Sequence, residues 1–187
     1  FDDEVKFINE KIDREQSTLT IGLKVDEDDM FMKRYVSSVY NYILGGCTES
    51  NLFQTVREEN SLCYYITSSG IPIYNVGFIR AGINAFDYER VIMLIREEME
   101  NMKKGNFDEE KIENAKVTYV SGLSELEDNP NSIISLYSGM EYLDADSIEV
   151  RKEKINKVTK EDIIKYANKV HLNVIYLLEG SDENASE

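Results

Sequence analysis

The stretch Gly45-Gly46-Cys47-Thr48-Glu49-Ser50-Asn51-Leu52-Phe53-Gln54-Thr55-Val56-Arg57-Glu58-Glu59-Asn60-Ser61-Leu62-Cys63-Tyr64-Tyr65 carries most of the information in this chain. Two glycines open a loop, and Leu52, Phe53 and Val56 then fall at helical spacing over a short helix from Ser50 to about Glu59. That helix delivers Arg57 near its C-terminal end. Leu62 to Ser69 (LCYYITSS) is rich in β-formers and follows as a strand, with Tyr64 seven residues beyond Arg57. Helix ends and strand starts are rigid, so a guanidinium and a phenol can be held there at a fixed separation. Both groups donate hydrogen bonds and stay protonated at neutral pH. Such a pair suits the carbonyl oxygens of a bound peptide, or the oxyanion that forms when one is attacked. From spacing alone the plainer reading leads: Arg57, beside Glu58 and Glu59, is a solvated helix-end cation, and Tyr64 is a packing aromatic.

Working outward, residues 17–25 (STLTIGLKV) alternate as a half-buried strand with Leu19, Ile21, Leu23 and Val25 on one face. Asp28 or Asp29 caps a helix running to about residue 44, and Gly45-Gly46 is expected to end it through glycine's left-handed conformation. Beyond the stretch, Ser69-Gly70-Ile71-Pro72 breaks the pattern and Ile73 to Ile83 returns as a second strand, giving a hairpin. Tyr88, Val91, Ile92, Ile95, Met99 and Met102 stripe a helix that stops near Gly105. Asp108 caps the next, with Phe107 and Ile112 as a hydrophobic staple; Asn129-Pro130 restarts the helical pattern; a further helix runs from Ser147 to Asn156. Val158-Thr159-x-x-Asp162-Ile163 opens a last helix to about Lys169, before a closing strand at Leu172–Leu178. The order is strand, helix, helix, strand, strand, a run of helices, strand. It predicts an α+β domain with helices packed on one face of a mostly antiparallel sheet. Residues 1–16 read as a polar opening segment or linker, 17–180 as a single domain, and 181–187 as a frayed acidic tail.

Composition narrows the function. The 187 residues carry 21 Lys and Arg against 36 Asp and Glu, a net charge of -15 with His neutral, and no basic cluster large enough to grip nucleic acid or an anionic membrane. No apolar run approaches the ~20 residues that span a bilayer, and the opening sequence lacks the pattern of a secretory leader. A soluble, cytoplasmic chain is expected. Two cysteines, Cys47 and Cys63, make no disulfide framework and read as small buried residues. The single histidine, His171, cannot make the two-histidine helix face of a zinc hydrolase and reads as structural or solvated. A Cys63–His171 pair, or a hydrolase built on Cys63 or Ser50, finds no support in the spacing. Ser50 reads as a helix cap, Glu97-Glu98 and Asp108-Glu109-Glu110 as solvated faces, and Tyr35, Tyr40 and Tyr42 as a helix's core face.

The opening stretch closely resembles the Gly-Gly … Ser-x-Leu-Phe-x-x-[Ile/Val]-Arg-Glu-x-x-x-Leu-x-Tyr signature of the insulinase/pitrilysin zinc metallopeptidases, the group that includes mitochondrial processing peptidase. The likeness extends over about residues 17–180, through the opening strand, the hairpin and the Val158-Thr159-Lys160-Glu161-Asp162-Ile163 helix start. It implies one of two homologous α+β halves that enclose a chamber. One half binds zinc through H-x-x-E-H, and the opposite half supplies an Arg and a Tyr seven residues apart. No H-x-x-E-H occurs here, whereas Arg57 and Tyr64 keep the family's spacing. The resemblance therefore implies the non-catalytic C-terminal half. It has no metal or cofactor of its own, with zinc in an H-x-x-E-H partner half in the same chain or a sister subunit, and a peptide substrate gripped by Arg57 and Tyr64. The alternative it allows is a structural or assembly subunit without enzymatic activity. Strand alternation puts Leu62, Tyr64 and Ile66 on one face and Cys63, Tyr65 and Thr67 on the other. That leaves Tyr65 as a competitor, and the family spacing favours Tyr64. Cys47, Thr48 and Cys63 depart from the small residues the family more often has there.

Overall fold

The computed structural model describes residues 4–127 and 130–180. Its centre is strand β2, Ser17–Val25, whose alternation is realised as expected: Leu19, Ile21 and Leu23 are buried on one face. β4, Val76–Ile83, and β5, Val170–Gly180, flank it antiparallel on either side. β3, Cys63–Ile71, adds an antiparallel edge on β4. β1, Lys6–Ile12, completes the order β1-β5-β2-β4-β3 by pairing parallel to β5. The sheet is thus mixed but mostly antiparallel, and the fold is α+β.

β1 lies within the segment expected to be a polar lead-in. Every residue of it is exposed, so the sequence has no alternation to betray it. Its Phe7 still turns to the helical side, where the ring lies 5.7 Å from that of Tyr88.

Helices cover one face. Asp29 accepts the Met32 N–H at 2.9 Å and starts a π-helical turn, Met32–Val36, that leads into α1, Ser37–Gly45. Tyr35 and Tyr40 of this stretch are core residues, Tyr40 edge-on to Tyr166 at 5.2 Å. The Gly45-Gly46 expectation needs correction. Gly46 is right-handed, with φ of -94°, and Gly45 is buried against β3, where a Cβ would meet Ser68 N at 2.7 Å. The glycine is there for close approach and not for a left-handed exit. The left-handed terminus occurs instead at Gly105, φ 74°, after α2, Tyr88–Lys104.

α3, Glu109–Glu127, and α4, Pro130–Leu143, follow, with Phe107 and Ile112 buried together in the core. Asn129 and the tail from 181 lie outside the described residues. Ser147 caps α5, Ile148–Asn156, and Thr159 with Asp162 forms a reciprocal capping box on α6, Lys160–Ala167. The core between sheet and helices joins Leu19, Ile21 and Ile79 to Ile43, Ile95 and Ile163.

Candidate functional site

The short helix is a π-type coil, Phe53–Glu59, anchored at its ends and its flank. Ser50 enters it through its backbone: its carbonyl accepts the Gln54 N–H at 3.0 Å, and its buried hydroxyl donates to the Cys47 carbonyl at 2.6 Å instead of capping. The Thr55 hydroxyl donates to Glu98 of α2 at 3.0 Å. Glu98 is therefore a buried anchor and not the solvated residue its neighbour Glu97 suggests. At the far end Ser61 N–H reaches the Arg57 carbonyl and Leu62 N–H the Val56 carbonyl, both at 3.0 Å. Ser61 turns the chain at φ 54° into β3.

Arg57 is held at the coil's last turn. Its guanidinium stacks on Phe53, 4.8 Å from the ring centre, and Glu58 lies loosely beside it at 3.9 Å. The side chain is 44% exposed, which leaves its donors largely available.

Tyr64 sits at an irregularity. Cys63 pairs with Ile83 and Tyr65 pairs with Gly82, so Tyr64 is the extra residue of a β-bulge. The bulge overturns the expected alternation. Cys63 and Ile66 face the helices, Tyr65 and Thr67 take the opposite face, and Tyr64 is thrown outward at 59% exposure. Tyr64 Oη donates to Asn84 Oδ1 at 3.3 Å. Arg57, Glu58, Ser61, Leu62, Cys63, Tyr64 and Asn84 line one open recess of about 370 Å³. Asn84 has no motif of its own; its only sequence signal is its place between a strand and a helix.

Both thiols are free. Burial pushes the Cys63 thiol up to about 11, against a smaller opposing pull from Arg57, so it stays protonated and is no nucleophile at neutral pH. His171 lies outside this recess. Its Nε2 is 3.6 Å from Asp26 Oδ2, and the Lys24 ammonium holds Asp26 at 2.9 Å. An ammonium on the same carboxylate is a poor companion for a divalent cation. Among the described residues no group of three or more His, Cys, Asp and Glu is placed to hold a metal ion. The residues present do not fit a zinc site. Nor, among the described residues, is any helix long and apolar enough to cross a membrane.

What this recess can do is donate hydrogen bonds from a cation and a phenol to an incoming acceptor. Comparison with known proteins gives that geometry a context. The sequence pattern of the family described as peptidase M16 inactive domain matches residues 2–119, from β1 into α3. A Bacillus subtilis (strain 168) protein named "Probable inactive metalloprotease YmfF" is 30% identical over 184 residues, covering 95% of this chain and 42% of that protein. A solved structure of a conserved protein from Enterococcus faecalis V583 superposes with a TM-score of 0.91 at 28% identity, over 98% of this chain and 44% of that one. The peptidase M16 inactive domain from Pseudomonas fluorescens superposes with a TM-score of 0.74 at 20% identity, over 95% and 44%. The chain spans less than half the length of these relatives.

Proposed function

Because this chain belongs to the peptidase M16 inactive-domain family, we propose that it is the metal-free half of a zinc-dependent peptidase. It is a non-catalytic, peptidase-like domain. In this reading it closes a chamber against an H-x-x-E-H half, in the same polypeptide or a sister subunit, and that half holds the zinc and the water it activates. Arg57 and Tyr64 reach across to the peptide. The Arg57 fork donates to a substrate carbonyl, and the Tyr64 hydroxyl donates to the oxygen that gains charge as the carbonyl is attacked.

The observation that carries the reading is the shared recess: both donors are exposed, and they line one open concavity fixed by the coil end and the bulge. The experiment is steady-state kinetics of the assembled peptidase with Arg57→Ala and Tyr64→Phe. Each is expected to lower kcat by ~10²-fold while the fold is retained. Unchanged kinetics in both variants would end the subsite assignment.

A second reading, a structural or assembly subunit without peptidase activity, draws support from the inactive metalloprotease named in Bacillus subtilis. The two separate on whether an H-x-x-E-H half is encoded in the same gene or beside it. Its absence from both would favour the structural role.

A further inference from the structure

The sheet face turned away from the helices combines an arginine with threonine hydroxyls and aromatic rings. Register sets Ile8, Tyr176, Thr20, Arg80 and Thr67 in one row across β1, β5, β2, β4 and β3. Arg80 is exposed in this row, its guanidinium over the Phe78 ring at 5.4 Å, and among the described residues no carboxylate pairs with it. Threonine hydroxyls flank it on both sides.

The chain carries a net charge of -15, and Glu97, Glu100, Glu109, Glu110 and Glu113 are exposed on the helices. On the open face the strands present Lys6, Lys24 and Arg80. Two carboxylates lie beside them: Glu10 accepts the Tyr176 hydroxyl at 2.8 Å, and Asp26 accepts the Lys24 ammonium at 2.9 Å. Net charge alone would favour a basic partner; Arg80 is a local exception, a cation with no carboxylate paired to it among the described residues.

The face also adjoins the Arg57–Tyr64 recess. Tyr65, next to Tyr64, lies over Gly82, where a Cβ would come within 2.5 Å of its ring. The Tyr65–Gly82 row is two residues from the Thr67–Arg80 row, roughly 7 Å along the strands. An extended peptide gripped in the recess would pass a side chain over Arg80 about two or three residues further on.

We propose that this open face selects peptides by charge, with Arg80 as the specificity residue that binds an acidic side chain of an extended substrate. The inference rests on the peptidase-half reading for its substrate class. A guanidinium binds a carboxylate through paired N–H···O bonds, and the ring beneath fixes the fork's plane.

The test titrates the 187-residue chain with neutral Ala/Ser peptides that differ at one central position, Glu, Gln or Lys, while backbone amide resonances are followed by NMR. The Glu peptide should bind roughly tenfold more tightly than the Gln peptide, with Lys weakest, and shift the amides of Thr20, Thr67 and Arg80 most. Arg80→Gln should bring Glu and Gln to parity, and Arg80→Lys should keep part of the preference. The exposed position makes both variants compatible with the native fold. Equal affinity for the three peptides, no binding of any of them, or a Glu preference that survives Arg80→Gln would overturn the proposal. A separate outcome tests the reading beneath it. If Arg57→Ala and Tyr64→Phe leave the assembled peptidase unaffected while Arg80→Gln still abolishes the Glu preference, the charge filter stands and the subsite assignment falls. The reverse pattern removes the filter alone.

Discussion

At the scale of single residues, the clearest energetic commitment is Glu27, just past β2. Its side chain is buried, and its two oxygens accept the Asp28 and Asp29 N–H groups at 2.9 and 3.0 Å and the Lys169 ammonium at 2.9 Å. Burial by itself raises the pKa of this carboxyl. The Lys169 bond and the two backbone bonds outweigh it, and the pKa falls below the ordinary 4.5. A carboxylate with a depressed pKa in the folded state contributes stability that is fully present above its unfolded value. That contribution is lost as the pH falls through the folded value. Glu27→Gln should therefore cost about 1–2 kcal/mol at neutral pH, with solvent around the half-exposed Lys169 trimming the figure. In acid below the folded pKa the cost should shrink, since wild type is then neutral too. Urea unfolding at the two pH values checks this; an equal deficit at both would mean that shape, not charge, is what Glu27 contributes. Nothing local in the sequence marks this residue, because its partner lies 142 positions away. Arg57 and Tyr64 were legible as a spaced pair. The outward aim of Tyr64 was not, since it depends on a bulge that strict alternation forbids.

Elements show the same division between local and non-local causes. β2, the Asp29 start of the first helix, and the Thr159–Asp162 capping box are readable from residues a few positions apart, because period and caps are short-range physics. β1 was hidden because an exposed edge strand needs no apolar face, and its pairing with β5 spans the chain. The π-helical hydrogen bonding of Phe53–Glu59 leaves apolar spacing almost unchanged, so it is equally silent. Gly45 was read as a helix stop, yet what it does is let α1 press on β3. A Cβ there would lie 2.7 Å from Ser68 N, 2.9 Å from Ser68 Cβ and 3.2 Å from the Thr67 carbonyl carbon. Two of those atoms are ladder backbone and cannot swing aside. Helix propensity favours alanine over glycine by about 1 kcal/mol, so two effects oppose each other. Overpacking against fixed backbone is the larger, and Gly45→Ala should destabilise the domain by about 1–3 kcal/mol, read as a lower urea midpoint with an unchanged slope. A gain in stability would show that α1 can ride off the sheet without penalty, and that the short helix carrying Arg57 is less firmly placed than argued.

Across the whole molecule, burial is distributed unevenly, and resistance to opening should follow it. β2 is hydrogen-bonded on both sides, and Leu19, Ile21 and Leu23 are each at most 3% exposed. Separating it requires the entire core to come apart. α4 has no buried residue, and Ile134 and Tyr137 on it are each 65% exposed. β1 is exposed at every position and joined to the sheet along β5 alone, with the Phe7–Tyr88 contact as its aromatic link to the helical side. Local opening of either element uncovers little apolar surface, so its free energy should lie well below that of global unfolding. Hydrogen exchange of the chain under native conditions should therefore show α4 and β1 exchanging first and independently of denaturant. The amides of β2 and of its β4 and β5 partners should exchange last and only with global unfolding. The bulge and the coil that hold Tyr64 and Arg57 should behave like the centre and not like the periphery. Thr55–Glu98 ties the coil to α2, and Leu62 and Cys63 are buried beside the bulge. That last element decides the functional argument, because a donor pair can stabilise a transition state only if its frame is already rigid. Exchange at residues 55–65 as fast as that of α4 would remove the preorganisation on which the Arg57–Tyr64 subsite depends, whatever the family resemblance.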